Sequence, residues 1–152
     1  MAYVNRGSAL YGLRKFKDAL EDLGHAIHLA PEDPLAYEGR ANVYDKMGEL
    51  AKALADYDTA ARLDKGNPEI YFNRAIALHS HHRDDEAIED MGKVLALRQS
   101  VAAYEYRGYL LLRTGRRAQA ISDYRSALRA ARSASERNEV EGRLWDLGEE
   151  PR

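Results

Sequence analysis

One short pattern recurs along this chain and limits what it can fold into. Tyr3-Val4-Asn5-Arg6-Gly7 returns as Tyr37-Glu38-Gly39-Arg40-Ala41, as Tyr71-Phe72-Asn73-Arg74-Ala75 and as Tyr104-Glu105-Tyr106-Arg107-Gly108. Each copy is a tyrosine, two variable residues, an arginine and a small residue. The tyrosines stand 34, 34 and 33 residues apart. A fixed period of this length marks supersecondary units stacked in a row, none of which buries its apolar face alone. The chain therefore reads as an array and not as a fold built round one central core.

Within each period two helical stripes follow one another. In the first unit Tyr3, Gly7 and Leu10 share one helix face, and Phe16, Ala19, Leu20, Leu23, Ala26, Ile27 and Ala30 keep helical spacing until Pro31 and Pro34, which cannot continue a helix interior. A tight turn near Arg14-Lys15 separates the two stripes, so the unit is a helical hairpin. Residues 34–67, 68–100 and 101–132 repeat the plan, with Gly48 and Gly115 at the turn where a left-handed residue closes a helix. Ser133-Ala134-Ser135-Glu136 is a capping-box sequence and predicts a ninth helix over about 134–148. Continuing the period from Tyr104 places Asn138, Gly142 and Trp145 in the packing positions, with Val140, Leu144 and Leu147 widening the apolar surface. Trp145 is the expected anchor of this half-unit lid, since a terminal repeat must cover its neighbour's open face.

The small residues Gly7, Ala41, Ala75 and Gly108 on the first helices, and Ala19, Ala53, Ala87 and Ala120 on the second, let helix backbones approach closely. Leu10, Tyr44, Leu78, Leu111 and the tyrosines fill the flanking space. Small, large apolar, alanine, aromatic and alanine at a 34-residue period resembles the tetratricopeptide repeat family, from Met1 to about Ala131, with the last helix as an extension. Departures are local. Lys65, Gln99 and Arg132 stand where Pro31 stands in the first unit, Val94 replaces the alanine of Ala26, Ala60 and Ala127, and Arg14 and His82 replace the turn glycine.

The resemblance implies an all-α, right-handed α-solenoid of antiparallel helix hairpins, about nine helices forming one domain over 1–152, with the first helices lining a concave groove. It implies a protein-interaction scaffold, not an enzyme, that holds an extended peptide or partner helix. Groove candidates are Asn5, Glu38, Asn42, Phe72, Asn73, Ile76, Glu105, Tyr109, Leu112 and Arg113, and Val4 is placed with them. Asn42 and Asn73 match asparagines that bond the peptide in the family's carboxylate-clamp members; an amide both donates and accepts, as a peptide backbone does. The clamp's basic residues are missing: Glu38 stands where lysine is needed, and Ala102 and Tyr106 stand where lysine and arginine are needed. An acidic C-terminal tail is therefore not the expected ligand. The alternative function is self-association by stacking of terminal repeats, which would make a homo-oligomer.

Charge and composition narrow the classes further. With 23 Lys+Arg against 25 Asp+Glu and no segment concentrating basic residues, nucleic acid is not an expected partner. The chain has no cysteine, so thiolate metal sites and disulfides are excluded. Apolar runs such as Tyr109-Leu110-Leu111-Leu112 are too short to span a bilayer, and no membrane insertion is expected. The compartment is left open, with a soluble, cytoplasmic setting the expectation, and the chain opens inside the repeat pattern as a segment of a longer protein would. His79, His81 and His82 with Asp84, Asp85 and Glu86 read as a solvated polar turn, and neither a metal nor a cofactor is expected. No phosphate loop or nucleophile elbow is present. Arg6, Arg40, Arg74 and Arg107 each precede an aspartate, Asp22, Asp56, Asp90 and Asp123, by sixteen residues. Matched opposite charges on the two helices of a hairpin predict a structural ion pair rather than a ladder for an anionic partner.

Overall fold

The computed structural model describes residues 1–151 and is all-helical over them. In chain order the helices are α1 (Ala2–Gly12), α2 (Phe16–Leu29), α3 (Pro34–Lys46), α4 (Leu50–Leu63), α5 (Pro68–Ser80), α6 (Asp84–Leu97), α7 (Val101–Arg113), α8 (Arg117–Ala130) and α9 (Ala134–Asp146). They form two compact units, Met1–Ala77 and Leu78–Arg152, with the boundary inside α5.

Side chains start most first helices, and backbone geometry ends them. Asp33 accepts from Leu35 N at 3.0 Å with Pro34 in the first turn, Asn67 accepts from Glu69 N at 3.0 Å, and Ser100 Oγ accepts from Ala103 N at 3.2 Å. Each first helix then closes with a bond from a backbone N–H to the carbonyl five residues back: Lys15 to Leu10, Glu49 to Tyr44, Arg83 to Leu78 and Arg116 to Leu111, all 2.8–2.9 Å. That closure requires one left-handed residue. Gly48 and Gly115 supply it at φ 78° and 77°, whereas Arg14 and His82 are held at φ 59° and 61°. A side chain there pays a steric cost of about 1 kcal/mol. Arg14→Gly and His82→Gly are each expected to raise the unfolding free energy by about 0.5–1 kcal/mol in urea titrations, the larger chain entropy of glycine offsetting part of the relief. A loss of stability would mean that these side chains hold their turns.

In the first unit Leu23, Ala19 and Val43 make one core cluster, and Ala41, Ala53, Tyr57, Ala60, Ala61, Ile70 and Ala77 make another. Val4 is only 7% exposed and packs with Ala26 and Ala36, which corrects its expected place in the groove: α1 turns this residue onto α2 and α3. In the second unit Leu111, Ala120, Ile121, Tyr124, Ala127 and Leu128 pack with Val140 and Leu144 of α9.

The lid exists, but its anchor is not the tryptophan. Ser133 and Glu136 form the expected capping box, with each side chain accepting from the other's backbone N–H at 3.1 Å. Val140 and Leu144 are fully buried, Gly142 is exposed and Trp145 is 59% exposed. The apolar face thus sits two residues later than the period predicts. Trp145 follows Leu144 by one residue, about 100° round the helix and off the buried stripe.

In the first, second and fourth repeats the expected arginine–aspartate pair spans its hairpin. Arg6 bonds Asp22 through both Nε and Nη2 at 2.5 and 2.6 Å, Arg40 bonds Asp56 at 2.6 and 2.8 Å, and Arg107 bonds Asp123 at 2.7 Å twice. All three aspartates are buried. In the third repeat Arg74 donates to Asp58, and Lys93 donates to Asp90 at 2.9 Å. The guanidiniums of Arg6, Arg40 and Arg74 also lie over the tyrosine three residues earlier, at 5.4, 5.8 and 5.6 Å from the ring centre. In the first two repeats the recurring motif is thus one contact set, in which the arginine joins the tyrosine of its own helix to the aspartate of the second helix.

Candidate functional site: the first-helix faces

With tyrosine, arginine and the small residue committed to packing, the variable positions of the first helices remain for function. In the first unit α3 carries Glu38 and Asn42 one turn apart, and α5 carries Asn73. Asn73 Nδ2 donates to Glu38 Oε1 at 2.8 Å, joining two consecutive first helices. Asn42 Oδ1 accepts from the hydroxyl of Tyr57, which rises from α4 and is almost wholly buried. Burial pushes the Tyr57 hydroxyl well above its ordinary value, and Asp45, Glu38 and Tyr11 push it further. Burial likewise raises the Glu38 carboxyl; the Asn73 bond opposes this, while Glu69 and Asp64 add to it. Asn5 is exposed, Phe72 is half-buried and Ile76 is exposed on α5.

In the second unit the face is aromatic. The rings of Tyr106 and Tyr109 stack at 6.3 Å and 25°, and His79 meets both edge-on, at 6.2 and 5.5 Å. His79 Nδ1 lies 2.6 Å from Asp84 Oδ1, and Arg113 Nε donates to Asp84 Oδ2 at 3.3 Å while its guanidinium lies 5.8 Å from the Tyr109 ring centre. The His79 bond, followed by that of Arg113, holds the Asp84 carboxyl below the usual carboxylate range. Burial pushes the Tyr106 hydroxyl up to about 12. Tyr109 remains 39% exposed, while Leu112 is half-buried against the fourth-repeat core. Glu105 is half-buried; burial raises its carboxyl, Glu139 adds to the rise and Arg143 of α9 opposes it.

His79 is thus no member of a solvated turn. The left-handed residue His82 folds the chain back so that Asp84, at the start of α6, meets His79 at the end of α5. Tyr57 is the participant that sequence reasoning assigned to packing alone. Its counterparts in the other repeats are Leu23, Met91 and Tyr124, and a buried tyrosine at a position that also takes aliphatic residues signals a hydroxyl that needs a partner. Among the described residues no three His, Asp or Glu side chains converge as metal ligands, and no helix is long and apolar enough to cross a membrane.

Repeated helical hairpins with packing residues in register define a class of helical-repeat proteins. A TPR repeat family model matches residues 42–81, and a tetratricopeptide repeat model matches residues 101–133. The chain is a tetratricopeptide repeat protein, of a family whose members mediate protein–protein interaction and are typically non-catalytic. It is 32% identical over 97 residues to DnaJ homolog subfamily C member 3 of Gallus gallus, covering 64% of this chain and 19% of that protein. The chain thus spans about a fifth of that relative's length. The crystal structure of MamA superposes with a TM-score of 0.76 at 17% identity, over 93% of this chain and 84% of MamA. The first TPR of Spaghetti (RPAP3) bound to the HSP90 peptide SRMEEVD superposes with a TM-score of 0.69 at 20% identity, over 75% of this chain and 91% of that one. These likenesses show the fold, an α-solenoid of antiparallel hairpins.

Proposed function

We propose that the chain is an interaction scaffold that holds a peptide or partner helix against its first helices. The observation that carries this reading is that Ile76 and Tyr109 stand exposed on the first helices α5 and α7, outside the buried core. Exposed apolar side chains, Ile76 one turn from the Asn73 amide in the first unit and Tyr109 in the second, suit a ligand with apolar anchors and a backbone to be bonded. The peptide in the Spaghetti complex is acidic. Glu38 disfavours such a ligand here, since a bound carboxylate would meet a half-buried carboxyl group.

The test is affinity capture from native lysate, with the Asn42→Ala, Asn73→Ala, Tyr109→Ala triple variant as control. Removing two amide contacts and an aromatic anchor is expected to weaken retention of the captured partner about tenfold or more. Unchanged capture by a folded triple variant would move the binding surface elsewhere.

A further inference from the structure

Glu38 is held in an unusual setting for a carboxylate. It is half-buried, and among the described residues its only hydrogen bond comes from a neutral donor, the Asn73 amide. The charges that bear on it, Asp64 and Glu69, are of its own sign. Nearby cations are committed elsewhere: Arg40 bonds Asp56 through both nitrogens, Arg74 bonds Asp58 and Lys46 lies 3.6 Å from Asp45. The fourth repeat supplies an internal contrast. Glu105 occupies the same repeat position, is also half-buried and has Glu139 and Glu136 adding to the rise of its carboxyl, but there a cation, Arg143 of α9, bears on it as well. A half-buried carboxylate without a cation costs stability unless something binds there.

The geometry of acceptors is specific as well. Asn73 gives one of its two amide N–H donors to Glu38, and its carbonyl oxygen and the remaining carboxylate lone pairs of Glu38 are acceptors still open to a ligand's donors. Asn42, one turn along α3, spends its carbonyl on Tyr57 and keeps its NH2 group for an acceptor. Adjacent acceptors beside a donor match a basic side chain that leaves a peptide backbone: the ammonium or guanidinium meets Glu38 and Asn73, and the backbone carbonyl meets Asn42.

We propose that Glu38 and Asn73 together receive a lysine or arginine side chain of the bound peptide. This rests on the groove reading above and adds the chemistry of its ligand. The burial that raises the Glu38 carboxyl agrees with it. A carboxyl whose folded pKa lies above its unfolded value stabilises the fold fully only at pH below the unfolded value, and the contribution is lost as pH rises through the folded one. At neutral pH Glu38 is therefore a cost to the free protein that a bound cation removes.

The test uses the full chain and four pools of short, end-capped peptides with random flanks and a fixed central lysine, arginine, norleucine or glutamate. The lysine and arginine pools are expected to be retained about tenfold more tightly than the norleucine pool, with the advantage shrinking as salt rises. Glu38→Gln should abolish that advantage, bringing retention of the lysine and arginine pools down to that of the norleucine pool. The same variant should melt at an equal or higher temperature at neutral pH, since Gln keeps an acceptor for Asn73. Equal retention of lysine and norleucine pools by the unmodified chain, or a lysine preference that survives Glu38→Gln, overturns the proposal. A Glu38→Gln variant that loses every pool alike also overturns it, because the loss is then not specific to charge. The groove reading fails separately, if the Asn42, Asn73, Tyr109 triple variant retains the norleucine pool undiminished. Retention of no pool at all overturns both.

Discussion

Arg40→Met will lower the unfolding free energy by about 3 kcal/mol, and Arg107→Met by a similar amount. Methionine reproduces most of the aliphatic stem but leaves Asp56, 7% exposed, without the two hydrogen bonds that justify a charge in its position. It also removes the guanidinium that lies between Tyr37 and Tyr44, at 5.8 and 5.9 Å from their ring centres. Arg6→Met will cost less, because the Arg6 side chain is 65% exposed against 26% for Arg40, so that water already reaches the first pair. Chemical denaturation checks the ranking. Adding Asp56→Leu to Arg40→Met should restore much of the loss, since the penalty lies in the orphaned carboxylate and not in the absence of a bond. If the arginines served instead as a ladder for an anionic partner, Arg40→Met would leave stability unchanged and abolish binding.

These pairs were legible in the sequence because a stacked array imposes one geometry on every hairpin. Two residues that recur sixteen apart in successive units meet in the same way in the first, second and fourth hairpins. The first-helix face was less legible, for a related reason: its contacts join side chains that do not recur. The bond from Asn73 to Glu38 depends on how consecutive first helices stand and on the reach of one amide, neither of which has a period. The same holds for His79 and Asp84. Their five-residue spacing fits no helical face, and only the left-handed turn between them brings the ring to the carboxylate.

The corrections at Val4 and Trp145 share a cause, which is that the period was carried into places where packing differs. Val4 aligns with Glu38 and Glu105, yet α1 lays it against Ala26 and Ala36, where an apolar residue is required. In α9 the side chains decide the rotation. Val140 and Leu144, one turn apart, present a compact aliphatic ridge to the fourth hairpin, whereas placing Gly142 and Trp145 inward would pair a void with a bulky ring. Hydropathy ranks Trp145 highly, and shape leaves it outside.

Leu23→Ala will cost as much as the loss of a buried ion pair, and it will reverse the sign of another substitution. The leucine is fully buried between two first helices at points where both carry glycine. A Cβ added at Gly7 would lie 2.7 Å from Leu23 Cγ, and one at Gly39 would lie 2.9 Å from Leu23 Cδ2. The first contact is with the branch point of a side chain that has no room to move, so Gly7→Ala should cost about 1–3 kcal/mol, more than the roughly 1 kcal/mol that alanine gains over glycine inside a helix. Leu23→Ala should cost about 3 kcal/mol through lost burial and the cavity left behind. In that background the obstructing atoms are gone. Gly7→Ala then recovers the helix-propensity term and part of the cavity, and should stabilise by about 1 kcal/mol. The double-mutant cycle in urea is therefore expected to give a coupling of about 2 kcal/mol or more. Equal effects of Gly7→Ala in both backgrounds would mean that Leu23 does not occupy the space above Gly7. The reversal would show why a glycine stands in the interior of α1: it leaves room for a leucine from the second helix.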